Sequence, residues 1–123
     1  MARVRTKSGV VFGGFTLTLC EILTALCDVA GVWMGLPEDI VITSGSDGAH
    51  HPRSKHYTYQ AIDIRSKNFP NAAAKERFVA QLRHRLGPRY TVLHESVGHP
   101  SEHFHVQPRM TWGASDPVDG GRS

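Results

Sequence analysis

The chain has 123 residues, of which 40% are hydrophobic and 20% charged, with a formal net charge of +3 and a pI near 9.1. That length suits a single domain with a real core, and the composition excludes a disordered or fibrous chain. The mild positive balance favours an anionic surface, whether cell wall, nucleic acid or acidic lipid. Without a run of basic residues or a stacking pattern of aromatics, nucleic acid is not expected as a partner. No stretch reaches the roughly 18 apolar residues of a membrane span, so stable membrane insertion is not expected either.

In chain order, Met1-Ala2-Arg3-Val4-Arg5-Thr6-Lys7 followed by apolar residues superficially resembles a signal peptide. Glu21 and Asp28 interrupt the apolar run, and no small-residue cleavage site closes it, so synthesis in the cytoplasm is expected. Gly9 to Phe15 reads as a short extended segment. Thr18 caps a helix, with Glu21 completing a Thr-x-x-Glu capping box. Leu19, Ile22, Leu23, Leu26 and Val29 recur at helical spacing and bury one face, and Gly31 ends the helix. Cys20 and Cys27 lie about 10 Å apart along such a helix, too far for a disulfide. Both are expected to be small buried residues, and a chain without a disulfide fits a reducing compartment.

Asp39 to Thr43 is β-branched and short, the pattern of a buried strand. It feeds a long polar loop, Ser44 to Lys55, that holds Asp47, His50, His51 and Arg53. Long loops on rigid strands tend to carry function. Gln60 to Arg65 alternates as a strand, with Ile62 and Ile64 facing a core and Ala61, Asp63 and Arg65 facing the other way. Asn68 or Asn71 caps a second helix, Ala72 to Leu86, which Gly87-Pro88 stops. Tyr90 to Glu95 is a strand, Ser96 to Ser101 a loop, and Glu102 to Gln107 a last strand. Residues 114–123, rich in Gly, Asp, Pro and Ser, form an expected disordered tail after one domain over 1–113. The fold class expected is α+β. Two helices cover a small, mainly antiparallel sheet of about four strands, with a metal cleft on the sheet's open face.

The chemistry sits in two segments. Ser54-Lys55-His56-Tyr57-Thr58-Tyr59-Gln60-Ala61-Ile62-Asp63 is answered forty residues later by Glu102-His103-Phe104-His105. His56, Asp63 and His105 offer two nitrogens and one oxygen to a single ion. Three protein ligands plus an open position are how a catalytic zinc site is built. His103 and His105 share one face of a strand while Phe104 and Val106 pack behind. Glu102 is a carboxylate beside this set, and Glu95, at the end of the Tyr90 strand, is its rival, since it too could be aimed at the site. Arg53 and Arg65 are candidate partners for a substrate carboxylate or a developing oxyanion.

These residues resemble a known signature. Ser-x-His-x-x-Gly-x-Ala-x-Asp followed by Glu-x-x-His marks the zinc D-Ala-D-Ala carboxypeptidases, the related phage L-Ala-D-Glu endolysins and the metal site of the hedgehog signalling domain. Ser54, His56, Ala61, Asp63, Glu102 and His105 are in register. Tyr59 stands where the family usually has Gly, and Asp47-Gly48 stand where many relatives carry a substrate-binding Arg. The resemblance covers roughly residues 40 to 107. It implies one zinc ion held by His56, Asp63 and His105, Glu102 as base, and Ser54 orienting a ligand or its loop. The implied substrate is a peptidoglycan peptide, and the enzyme is expected to be a monomer, phage-encoded or bacterial, that acts on the cell wall after release. A zinc-binding or structural module without catalysis is the alternative.

Overall fold

The computed structural model describes residues 2–32, 35–45 and 61–109. They form strand β1 (Arg3–Thr6), helix α1 (Leu17–Val32), strands β2 (Asp39–Ser44) and β3 (Ile62–Arg65), helix α2 (Ala72–Leu86), and strands β4 (Tyr90–Glu95) and β5 (His103–Pro108). The five strands make one sheet in the order β1-β2-β3-β5-β4. β1 and β2 run parallel, and the other neighbouring pairs run antiparallel. The α+β class holds, with a mixed sheet of one more strand than expected.

The additional strand is β1, over residues that the sequence reading assigned to no element. Arg3-Val4-Arg5-Thr6 alternates with the period of a strand. In the fold both arginines reach Asp39 on the neighbouring strand, at 3.0 Å from Arg3 and 2.8 Å from Arg5. The 9–15 segment, expected to be extended, forms no strand.

α1 starts two residues earlier than a cap at Thr18 would allow. The Leu19 amide donates to Thr16 Oγ1 at 3.1 Å, so Thr16 is the capping residue. Glu21 does not turn back to close a capping box. Its carboxylate accepts the Tyr90 hydroxyl, which ties α1 to β4. Burial pushes the Tyr90 phenol up to about 12, helped by that bond and by the charge of Glu21. Gly31 lies inside the helix rather than ending it. Cys20 and Cys27 are free, as expected, but both are exposed rather than buried. The buried stripe of α1 is Leu19, Ile22, Leu26 and Val29, and neither cysteine shares it.

α2 follows its sequence closely. Asn71 accepts the Ala74 amide at 2.8 Å, and Gly87 closes the helix at φ 81, a backbone angle that glycine adopts without strain. Phe78, Val79 and Leu82 face the sheet. Phe69, Phe78 and Phe104 stack with ring centroids 5.0, 5.1 and 4.9 Å apart. Each such aromatic pair adds about 1 kcal/mol beyond the area it buries. Together with Ile40, Ile42, Ile62, Ile64, Val92 and Val106, these rings form a core between the helices and one face of the sheet.

β2 ends at a tight crossing. A Cβ built on Gly45 would lie 2.7 Å from the Val11 carbonyl and 2.8 Å from the Phe12 ring, so only glycine fits there. Ser44 pairs with Asp63 across β2 and β3, so Gly45 lies one residue and Ala61 two residues from this pair in the chain. Residues 46–60 connect them. The long loop and the readings of Ser54, Arg53 and His56 therefore lie outside the described residues, as does the tail over 114–123. No helix among the described residues is long and apolar enough to cross a membrane.

Candidate metal centre

Strand alternation divides the sheet into a covered and an open face. On β3, Ile62 and Ile64 are fully buried while Asp63 and Arg65 are half-buried. On β5, Phe104 and Val106 point into the core and His103, His105 and Gln107 point away from it. β5 lies between β3 and β4. In that register Asp63 stands directly opposite His105, and Glu95 directly opposite His103.

Asp63, His103 and His105 each offer one donor atom, and these atoms lie within 4.8 Å of one another. Asp63 Oδ1 is 2.8 Å from His105 Nδ1 and 3.8 Å from His103 Nε2. Donors on a tetrahedral zinc ion stand about 3.3 Å apart, given bonds of about 2.0–2.1 Å, so the observed separations bracket what the ion needs. Asp63 and His105 keep 18% and 15% of their side-chain surface exposed, so the group lines a cleft that solvent reaches. These three residues could hold a metal ion.

Both rings are held from behind. His103 Nδ1 donates to the Ser101 carbonyl at 2.8 Å, which leaves Nε2 turned towards Asp63 and towards Glu95 Oε1 at 2.9 Å. His105 Nε2 faces Gln107 Oε1 at 2.6 Å, and its Nδ1 is turned towards Asp63. A histidine that ligates metal typically gives its far N–H to an acceptor, which fixes the tautomer and aims the near lone pair. Each ring therefore has an acceptor at both nitrogens, whereas a neutral imidazole carries a single N–H. For His105, burial disfavours the charged ring. The bonds to Asp63 and Gln107 and the charges of Asp63 and Glu95 outweigh it, and its pKa is raised. A proton on this ring thus occupies the position a cation would take.

Glu102, expected to be the base, is not joined to this cluster. Its carboxylate accepts from Lys75 Nζ at 2.8 Å, from His94 Nε2 at 2.5 Å and from the Gly98 amide at 3.3 Å. His94 belongs to the covered side, where its ring lies 5.0 Å from that of Phe104. Glu102 is one residue from His103, and the alternation of β5 turns it towards α2 instead of towards the donors. The pairs with Lys75 and His94, against the opposing effect of burial, hold its carboxyl down at about 2. Glu95, the rival, is the carboxylate beside His103. Arg65 lies on the donors' face, directly across from His103.

The Glu102 network carries a stability prediction. A carboxyl whose folded pKa lies below its unfolded value of 4.5 adds stability above that pH and loses it as pH falls towards about 2. Glu102→Ala should destabilise the domain by about 2–3 kcal/mol, with a fall of roughly 10 °C in melting temperature, because Lys75 and His94 lose their partner. Thermal melts from pH 7 to 2 check this. The gap between wild type and variant should close below pH 4.5.

Sequence reasoning took Asp63 and His105 as ligands together with His56, placed His103 beside them as a substrate or supporting residue rather than a donor, and did not find the acceptors behind the rings. The alternation His103, His105, Gln107 puts Gln107 on the same face and could have flagged it. Ser101 acts through its backbone carbonyl, which no residue type reveals. No family model matches this chain, and neither a curated protein nor a solved structure was found to match it.

Proposed function

We propose that this protein is a zinc-dependent peptidase that hydrolyses a bond in peptidoglycan peptides of the bacterial cell wall. The observation that carries the reading is the pair of rings, His103 and His105, anchored from behind and aimed at Asp63 on an open sheet face. The resemblance to the zinc carboxypeptidases and endolysins supplies the substrate class and the third ligand. Asp63 and His105 are taken as ligands together with His56, whose segment joins the strands that pair at Ser44 and Asp63. A zinc ion bound there would polarise a peptide carbonyl and lower the pKa of water.

The chain's own groups do the rest. His103, with Nδ1 committed to the Ser101 carbonyl, has Nε2 available to take a proton beside the ligands. Glu95 at 2.9 Å stabilises the charge the ring acquires, and the proton then passes to the leaving amine. Glu102 is assigned to holding β5 against α2 and β4. Arg65 is assigned to the substrate, as is Arg53 from the loop, while Ser54 is assigned to orienting a ligand or the loop itself.

Digestion of purified cell wall, with mass analysis of the released peptides, tests the reading. Peptides with one newly hydrolysed bond should appear with zinc and disappear with a chelator. A chain that binds zinc tightly yet releases nothing would instead be a binding module. A chain that unfolds when zinc is removed would hold it for structure alone.

A further inference from the structure

β4 ends the sheet, and arginines occupy its outer edge in place of a further strand. The Arg109 amide bonds the Arg89 carbonyl at 2.8 Å, so Arg89 turns its carbonyl towards β5 and those of Pro88, Tyr90 and Val92 face outward. Arg83, near the end of α2, donates to the Val92 carbonyl through Nε at 3.1 Å and Nη2 at 2.7 Å. Arg109, just past β5, donates to the Pro88 carbonyl through Nε at 2.6 Å and to the Tyr90 carbonyl through Nη2 at 3.4 Å. Outward carbonyls recur about every 7 Å along a strand, so the two guanidiniums stand in a row on the edge. Together with His84, Thr91 and Leu93 they line a cavity of about 570 Å³.

Both guanidiniums are pinned by neutral acceptors. Among the described residues neither forms an ion pair with a carboxylate, and neither commits its Nη1 group. Arginines elsewhere in the fold differ: Arg3 and Arg5 close on Asp39, and Arg85 has Asp28 at 3.9 Å. Blocking an edge strand against further pairing accounts for where these side chains lie. It does not account for two uncompensated charges along one cavity, since a neutral amide would cap a carbonyl as well. A guanidinium fixed on one edge and free on another is pre-organised for an oxyanion, and its fork matches phosphate. Tyr90 is buried, which leaves no exposed Phe, Tyr or Trp ring in the cavity on which a nucleobase could stack. Leu93 is the one exposed large apolar side chain there among the described residues, too little to enter a bilayer. A flexible polyanion with small spacers between its phosphates fits this row of cations best.

We propose that Arg83 and Arg109 form a binding site for the phosphodiesters of a polyol-phosphate polymer of the bacterial cell wall. The phosphate chemistry stands on the two guanidiniums alone, while the wall as its source rests on the peptidase reading. Leu93 joins the cavity to the open face, because it stands opposite His105 in the ladder. A wall held along β4 is therefore held beside the metal donors.

Co-sedimentation of the full chain with purified walls rich in polyol phosphate tests the site, with a chelator present so that nothing is cut. One arm uses intact walls. A second uses walls stripped by cold hydrofluoric acid, which removes the phosphate polymer and leaves peptidoglycan. Intact walls should retain the chain at least about 10-fold more tightly, the scale of one or two charge-assisted bonds, and the difference should shrink as salt rises. Arg83→Gln with Arg109→Gln should bring the ratio to about twofold or less. Both side chains also hold backbone carbonyls, so a competition on the unaltered chain provides a readout that does not depend on the variant folding. Isolated polymer should release it from intact walls, and equal phosphate as single-stranded DNA or as anionic phospholipid vesicles should release at least about 10-fold less. Equal retention on both walls, no retention on either, or a preference that survives the double substitution in a folded chain overturns the site. DNA or vesicles competing as well as the polymer overturn it too, in favour of a general polyanion surface. Replacing the chelator by zinc reads the peptidase separately on the stripped walls. Phosphate-dependent retention without cleavage would uphold the site and remove the peptidase reading, and cleavage with equal retention would do the reverse.

Discussion

His105→Ala should lower zinc affinity by at least about 100-fold, since replacing even the groups behind a ligand costs 10- to 100-fold. His105 is directly opposite Asp63, its Nδ1 is 2.8 Å from the carboxylate, and its far nitrogen is engaged by Gln107. Removing the ring removes a donor and the hydrogen bond it makes with the Asp63 carboxylate. Asp63→Ala should match it, and Gln107→Ala should give a smaller loss by freeing the ring. Competition with a chromophoric chelator measures all three. Zinc affinity should also fall with acidity. The raised His105 pKa means that a proton competes for Nδ1, so binding should release protons and weaken as pH drops through the folded value. The sign for the metal-free fold is the opposite. A histidine with a raised pKa stabilises the fold fully below its unfolded value of 6.5, and this contribution is lost as pH rises through the folded value. Zinc loading and metal-free stability should therefore move in opposite directions across that window. If His105→Ala bound zinc as wild type does, the centre would lie elsewhere.

Glu95→Gln should reduce cell-wall peptide hydrolysis by about 100-fold at unchanged zinc content, because it takes the counter-charge from His103, the proton carrier, whose own loss costs about 10²- to 10⁴-fold. The substitution keeps shape and removes only the charge that faces His103 Nε2 at 2.9 Å. His103→Ala should cost at least as much, because it removes the ring itself. Glu102→Gln makes the contrast. Its effect should appear as reduced stability, with near wild-type turnover per folded molecule at moderate temperature. Zinc analysis of each variant decides His103's role. Retained zinc with lost turnover makes it the proton carrier, whereas lost zinc makes it a ligand. Full turnover in Glu95→Gln together with none in a well-folded Glu102→Gln would return the base to Glu102.

Much of this arrangement was legible from residue order. Ile62-Asp63-Ile64-Arg65 and His103-Phe104-His105-Val106 alternate with period two, so each strand declares which side chains leave the core. Asn71 and Gly87 bound α2 because side-chain capping and a positive φ are local requirements. The cysteines of α1 were misread because small apolar character does not say which stripe of a helix is covered. β1 was hidden by arginines whose partner, Asp39, lies 36 residues away in the case of Arg3.

The chain's own order therefore settled the elements other than β1 and the outward-facing imidazoles, since dihedral preference and alternation act over a few residues. Tertiary structure decided which carboxylate each imidazole meets. The sheet inserts β5 between β3 and β4, and that long-range choice sets Asp63 against His105 and Glu95 against His103. The same insertion turns Glu102 under the sheet to Lys75 and His94. Strand order follows from burying Phe78 and Phe104 and the isoleucines of β2 and β3 in one core. The energy of that packing is shared across the domain and cannot be read from any single segment.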